Sequence, residues 1–285
     1  MSDLNTEIKS SNSSSGSPAR VIVTTSGKGG VGKTTSTANI AAALAKFGKK
    51  VVAVDADVGL RNLDVIMGLE NRVVYNFIDV IEGTCKLSQA LVKDKRVPGL
   101  YLLPAAQTRT KDAVNPEQMV DLCNQLKPDF DFIFLDCPAG IEGGFRNAAA
   151  GADEALVVTT PEIPAVRDAD RIIGMLESMG KSPIRLIINR LRPNMVQDGD
   201  MLAKDDILDV LSIDLIGVVP EDENVIRATN NGEPMTMTLD SPAAQAYLNI
   251  AERLLGHDVP LMDLESYASR GLISKIKKFF SRKRH

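Results

Sequence analysis

The 285-residue sequence predicts a doubly wound α/β fold, a mostly parallel sheet with helices on both faces, and three observations carry that prediction. Short apolar runs such as Val51-Val52-Ala53-Val54 are continuous rather than alternating, as strands buried on both faces require. Segments with apolar residues at helical spacing separate these runs, which brings successive strands into parallel pairs. Between the first run and the first such helix lies a glycine-rich stretch, residues 26–35 (Ser-Gly-Lys-Gly-Gly-Val-Gly-Lys-Thr-Thr).

Taken in order, residues 1–19 are polar and Ser-rich, with no apolar face to bury, and are expected to form a disordered arm. The arm has no hydrophobic core of a secretory signal, and its acidic residues do not suit an organelle transit peptide. Strands are predicted over 21–25, 51–55, 100–103, 132–136, 155–160, 185–189 and 215–219. Helices are predicted over 34–47, where Ile40, Leu44 and Phe47 share a face and Gly48 closes the run, and over 116–126, 164–179, 204–211, 225–230 and 242–255. The predicted domain spans 20–258, followed by a linker, 259–270, and a terminal segment, 271–285. No run of 18 apolar residues is present to span a bilayer.

Gly27, Gly32, Lys33 and Thr34 fit the phosphate-loop spacing G-x-x-x-x-G-K-[ST], in the strand-to-helix context that pattern needs. Gly27, Gly29, Gly30 and Gly32 permit positive φ and close backbone approach, so that the N–H groups around Val31 and at the start of the helix can wrap an anion. Lys33 is then expected to reach the β- and γ-phosphates of a nucleotide and Thr34 to ligate Mg2+, with Thr35 beside them. Lys28 is superfluous to that cradle. A surface lysine competes with a reach toward another phosphate, in the same chain or across a dimer.

In such sheets the ligand sits outside the carboxyl ends of the strands, so those ends hold the remaining candidates. Asp55 and Asp57 follow the second strand and could serve the Mg2+ shell and orient an attacking water, against the plainer reading of a polar turn. Phe132-Ile133-Phe134-Leu135-Asp136 ends an apolar strand in an acid, the arrangement that completes a nucleotide site through Mg2+. The turn after it, Cys137-Pro138-Ala139-Gly140, could present an N–H to the γ-phosphate. Asn189 and the run Pro220-Glu221-Asp222 could border an adenine base, or be ordinary turn residues.

Charge divides the chain unevenly. Residues 270–285 carry seven basic residues and no acidic one, which leaves 26 basic against 37 acidic residues elsewhere. An acidic body argues against broad nucleic-acid binding, whereas the basic end suits an anionic surface. Within 271–285, Leu272, Ile273, Ile276, Phe279 and Phe280 fall within about 120° of one helical face, flanked by Lys275 and Lys277. That pattern predicts an amphipathic helix lying in a membrane interface. Burying the five side chains is worth at most about 7 to 15 kcal/mol, against about 10 to 20 for ordering the segment. One such helix is marginal; two held on a dimer reinforce each other. Cys85, Cys123 and Cys137 are scattered, with neither metal-ligand spacing nor the paired placement of a cluster-bearing reductase, and are expected to be reduced core residues.

The loop with its extra Lys28 resembles the deviant Walker A motif of the MinD/ParA ATPases. The resemblance extends through 57–64 (Asp-Val-Gly-Leu-Arg-Asn-Leu-Asp), 71–75, 89–96, 137–142, 166–171 and 218–222, and covers residues 20–256 and the tail. It implies a SIMIBI-type phosphate-loop NTPase that binds ATP and Mg2+, dimerises with ATP and hydrolyses it weakly alone. Lys28 becomes the lysine that reaches the partner's nucleotide, Asp57 the water-orienting acid, Asp136 the Walker B acid, and Asn189 a neighbour of the adenine. Members that share all these runs imply a division-site regulator that recruits a MinC-like inhibitor, is released by a MinE-like activator, and works from the cytoplasm on the inner face of the cell membrane, with a plastid stroma and inner envelope as the alternative. A DNA-partition role of the ParA type is the alternative. Arg167, Asp168 and Asp170 lie on either a partner-binding helix or a solvated charged face. Two features depart from the family pattern: the 19-residue arm has no counterpart in the common short form, and Cys137 stands where Ser is frequent.

Overall fold

A computed structural model describes residues 18–107, 113–238 and 240–264. The expected disordered arm and the terminal amphipathic segment, with Leu272, Ile273, Ile276, Phe279 and Phe280, therefore lie outside the described residues, apart from Pro18 and Ala19. The chain runs through β1 (Arg20–Thr25), α1 (Lys33–Lys46), β2 (Val51–Asp55), α2 (Leu63–Ile66), α3 (Phe77–Ile81), α4 (Leu87–Ala90), β3 (Val92–Lys93) and β4 (Leu100–Leu103). It continues through α5 (Pro116–Leu126), β5 (Phe132–Asp136), α6 (Gly143–Gly151), β6 (Glu154–Thr159), α7 (Ile163–Ser178) and β7 (Ile184–Leu191). Last come α8 (Pro193–Gln197), α9 (Lys204–Leu211), β8 (Asp214–Pro220), α10 (Asn224–Asn230), α11 (Met235–Thr238) and α12 (Pro242–Leu254).

Eight strands form one sheet in the order β3-β4-β2-β5-β1-β6-β7-β8, every described pairing parallel except β3 with β4. The doubly wound architecture is as the sequence predicts. Continuous apolar strands split by pleat parity: Val21 and Val23 face one core with α5, α6 and α7, while Ile22 faces the other with α1 and α12. The first helix is buried almost all round, and its alanines at 41, 42, 43 and 45 let it sit close to the sheet and to α12.

The chain leaves β1 toward β2 on one side and, after β5, crosses to β6 on the other. The carboxyl end of β1 is thus the switch point where a crevice opens. Register sets the acids beside it: Asp136 pairs with Thr24 of β1 on one side and with Asp55 of β2 on the other.

Some elements carry no clear signal in the sequence. The short strand β3 is antiparallel and only two residues long, too brief for a periodic pattern. Helix α6, Gly-Gly-Phe-Arg-Asn-Ala-Ala-Ala-Gly, has three glycines that lower its intrinsic helicity. Packing supplies what propensity lacks: Phe145, Ala148 and Ala149 are buried against the core shared with α5. The first part of the expected linker is tied down, because Arg253 donates to the carbonyls of Val259 (2.8 Å) and Pro260 (2.9 Å).

Candidate nucleotide site

The glycine-rich loop joins β1 to α1, and Gly30 (φ 80°) and Gly32 (φ 95°) adopt the left-handed conformation that makes glycine the fitting residue there. Helix α1 begins after Gly32 without a side-chain cap and with no acidic residue in its first turn, so its N-terminal N–H groups stay available to an anion. Gly27 has a packing reason instead: a Cβ there would lie 2.4 Å from the backbone of Asp168 on α7. Gly29 departs from the expectation of positive φ. It is absent from the left-handed set, and a Cβ on it would meet no atom of the chain within 4 Å. Gly29 does line the cavity described below, so the room it leaves is on the side where a ligand would lie, and the fold itself does not require glycine at that position.

Beneath the loop, Lys33 Nζ is 3.1 Å from Asp136 Oδ1, with both side chains buried. The same oxygen accepts from Thr37 Oγ1 (3.1 Å), and Lys33 Nζ donates to Thr34 Oγ1 (3.3 Å). Burial by itself would lower the Lys33 pKa, but the charge of Asp136, aided by its hydrogen bond and by Asp57, raises it, so the ammonium stays charged. Asp136 Oδ2 is buried and has no hydrogen-bond partner among the described residues. An unsatisfied buried carboxylate oxygen beside a phosphate loop suits a cation or its water. Among the described residues no group of three His, Cys, Asp or Glu could hold a metal, so Mg2+ would need phosphate oxygens and water besides Thr34 and Asp136.

Asp55 differs from the expectation that placed it among metal ligands. Its Oδ1 accepts from the Asp57 N–H and its Oδ2 from the Leu63 N–H, both at 3.1 Å, and the side chain is buried. Burial first, then the neighbouring Asp136 charge, raises its pKa to about 7. The geometry gives Asp55 the task of holding the loop that carries Asp57. The plain turn reading of Asp55 is therefore nearer the structure than the ligand reading.

A cavity of about 530 Å³ opens above Lys33 and Thr34, lined also by Asp57, Pro138, Ala139 and Arg190. The Pro-Ala-Gly turn enters it through Pro138 and Ala139, whereas the Gly140 N–H donates to the Ser26 carbonyl (3.0 Å). Beside it lies a 200 Å³ pocket that contains Thr35, Asn189, Pro220, Glu221 and Asp222, so the expected base-binding residues do converge. Asn189 Nδ2 donates to the Val31 carbonyl at 2.7 Å, which fixes strand β7 against the phosphate loop. Lys28 is exposed and forms no ion pair among the described residues; its carbonyl accepts from Ser26 Oγ (2.9 Å). On α7, Arg167 and Asp170 are exposed and Asp168 is half-buried.

Two residues of the site escape sequence reasoning. Arg190 lines both cavities from a positive φ (59°) at an irregularity in the β7–β8 pairing, which no local pattern announces. Tyr247, on α12, is buried at the floor of the smaller pocket with its hydroxyl 3.2 Å from Ser36 Oγ. In the sequence it reads as one more apolar position of an amphipathic helix.

A phosphate loop at the switch point of a parallel sheet, with a lysine–aspartate pair under it, defines a phosphate-loop nucleotide-binding protein. The chain matches the CobQ/CobB/MinD/ParA nucleotide binding domain over residues 22–235. It is 58% identical over 261 residues to the septum site-determining protein MinD of Synechocystis sp., covering 91% of this chain and 97% of that one. Among solved structures it is similar to the MinC:MinD cell division protein complex of Aquifex aeolicus (50% identity, TM-score 0.81, 86% of this chain and 99% of that one). It is also similar to the Pyrococcus horikoshii MinD complexed with Mg-ADP (33% identity, TM-score 0.75, 83% and 96%). The chain belongs to the MinD family of septum site-determining proteins.

Proposed function

We propose that the chain is an ATP-hydrolysing division-site regulator whose nucleotide controls a dimer and, through the dimer, membrane attachment. The observation that carries the reading is the buried Lys33–Asp136 pair under the 530 Å³ cavity, with one Asp136 oxygen left unsatisfied. The relative solved with Mg-ADP supports the cofactor, and the MinC:MinD complex supports a MinC-like inhibitor as partner.

In this reading Lys33 leaves its pairing with Asp136 to meet the β- and γ-phosphates. The N–H groups of the loop and of the first turn of α1 hold the same phosphates. Thr34 and Asp136 would hold Mg2+, which supplies charge neutralisation at the phosphate oxygens. Asp57, at the cavity wall, orients the attacking water, and its position is set by Asp55 through the loop N–H. Lys28, exposed on the phosphate loop, reaches the nucleotide of a second copy. Asn189 with 220–222 frames the base. Closing the dimer brings two 271–285 segments together on the inner face of a membrane, and stimulation of hydrolysis by a MinE-like activator releases them.

Co-sedimentation with anionic liposomes tests the reading. ATP and a non-hydrolysable analogue should drive the protein into the pellet, ADP should not, and deletion of 271–285 should abolish the effect. Sedimentation that ignores nucleotide would sink the switch.

A further inference from the structure

A cleft of about 660 Å³ lies beside the nucleotide cavities, between the start of α7 and the α8–α9 segment. Its floor is apolar: Ile163, 57% exposed, with half-buried Met195, Val196, Met201 and Leu202. Its rim is acidic. Glu221 faces Arg192 at 3.8 Å, whereas Glu162, Asp200 and Asp206 enter no ion pair among the described residues. An apolar trough with unpaired acids at its edge suits a basic amphipathic segment.

The chain itself carries such a segment next door. After α12 it runs along the β8 edge, and 261–264 line a groove whose other wall includes Leu191, Val196, Ala203 and Lys204. Val196 and Ala203 also line the large cleft, so the described chain stops at the doorstep of the trough. Seven residues lie between Leu264 and Leu272, and the eight Cα–Cα steps give an extended reach of up to about 26 Å.

We propose that this cleft holds the chain's own C-terminal segment, 272–280, with its apolar face on the Ile163–Met201–Leu202 floor and its lysines toward Glu162, Asp200 and Asp206. The proposal rests on the reading of 271–285 as the membrane segment, and adds where that segment goes in the absence of a membrane. Tethering gives an effective concentration of about 1 mM, so a weak intrinsic contact suffices for occupancy. The same side chains would enter a bilayer, so cleft and membrane exclude one another. Arg190 and Glu221 line both this cleft and the smaller nucleotide pocket, so the two share a wall.

The chain has no tryptophan, so Phe279→Trp in the full-length protein is a clean reporter. Without lipid or nucleotide, docking predicts blue-shifted emission and at least threefold protection from acrylamide relative to the peptide 265–285 bearing the same tryptophan. Tenfold dilution should leave both unchanged. Glu162→Lys/Asp200→Lys, at two exposed positions, should remove the protection and bind phosphatidylglycerol-containing vesicles at least threefold more tightly without ATP. Emission already like that of the peptide would overturn the proposal, as would protection that fades on dilution, which would mean a second copy is the occupant. If the tryptophan is exposed without lipid yet enters vesicles with ATP, the docking fails while the membrane reading stands. If it is protected without lipid and never enters vesicles, the membrane reading fails and the cleft contact stands.

Discussion

Two buried charge clusters sit at opposite ends of the same sheet. At the carboxyl end, Asp136 meets a single lysine and, among the described residues, keeps one oxygen without a hydrogen-bond partner. At the amino end, Glu154 of β6 is gripped by Arg20 of β1 (2.5 and 2.7 Å) and by Arg185 of β7 (2.8 Å). Arg20 goes on to donate to the Leu254 carbonyl, which fastens the end of α12 to the sheet. The Glu154 network ties three strands together and gives both carboxylate oxygens arginine partners, whereas Asp136 ties β5 to α1 and sits under an open cavity with one oxygen unsatisfied among the described residues. A satisfied buried carboxylate stabilises the fold; a half-satisfied one beside a cavity is held ready for a ligand.

The contrast is broken most directly by Lys33→Ala. Removing the lysine should weaken ATP binding by more than about a hundredfold, a loss of about 3 kcal/mol, as read by calorimetric titration. Next in size, Glu154→Ala should destabilise the protein by about 3 kcal/mol in denaturant titrations, because two half-buried arginines lose their counter-charge, while ATP affinity stays within twofold. Equal effects of the two variants on ATP affinity would erase the distinction between the clusters.

The Glu154 network also has a pH signature. Burial opposes its ionisation, yet the hydrogen bonds and charges of Arg20 and Arg185 hold its pKa below the usual carboxylate value. With the folded pKa depressed, the contribution is present above the unfolded value of about 4.3 and is lost as pH falls through the folded pKa. Glu154→Gln should therefore lose stability near neutrality and show a shallower decline on acidification below about pH 4 than the parent chain.

Asp57→Ala sharpens the comparison at the open end, with an expected drop of about thirtyfold in hydrolysis and little change in ATP affinity, measured by single-turnover kinetics. The smallest expected effect concerns Arg190. Its left-handed backbone is strained for a non-glycine residue, so Arg190→Gly should raise stability by up to about 1 kcal/mol while weakening ATP binding severalfold. A loss of stability would show that the guanidinium has a structural task instead.

Much of the site is legible because its chemistry lies in short contiguous runs. Gly27 to Thr35, Asp57, Asp136 and 220–222 each lie at or just after the carboxyl end of a strand, and strand ends in a parallel sheet meet by rule. Within the loop, composition does not tell the glycines apart. Gly30 and Gly32 answer to backbone conformation and Gly27 to the approach of α7, whereas Gly29 has neither constraint and only faces the cavity. Asp55 misleads because adjacency to Asp57 suggests a shared role, while the backbone turn aims two N–H groups at Asp55 and gives it a structural one. Helix α6 stays hidden because its glycines mask a face that only packing against α5 reveals.

By itself the sequence determined the alternation of strands and helices, the phosphate loop and the acids at strand ends, since these depend on local backbone preference and on periodic burial. Only the tertiary structure decided which acid is satisfied and which is left open, that Arg190 and Tyr247 join the nucleotide pockets, and that the acidic trough lies where the chain leads toward its basic end. Those properties belong to groups far apart in sequence, such as Lys33 and Asp136 or Ser36 and Tyr247, and their contacts exist only once strand order and register have brought them together.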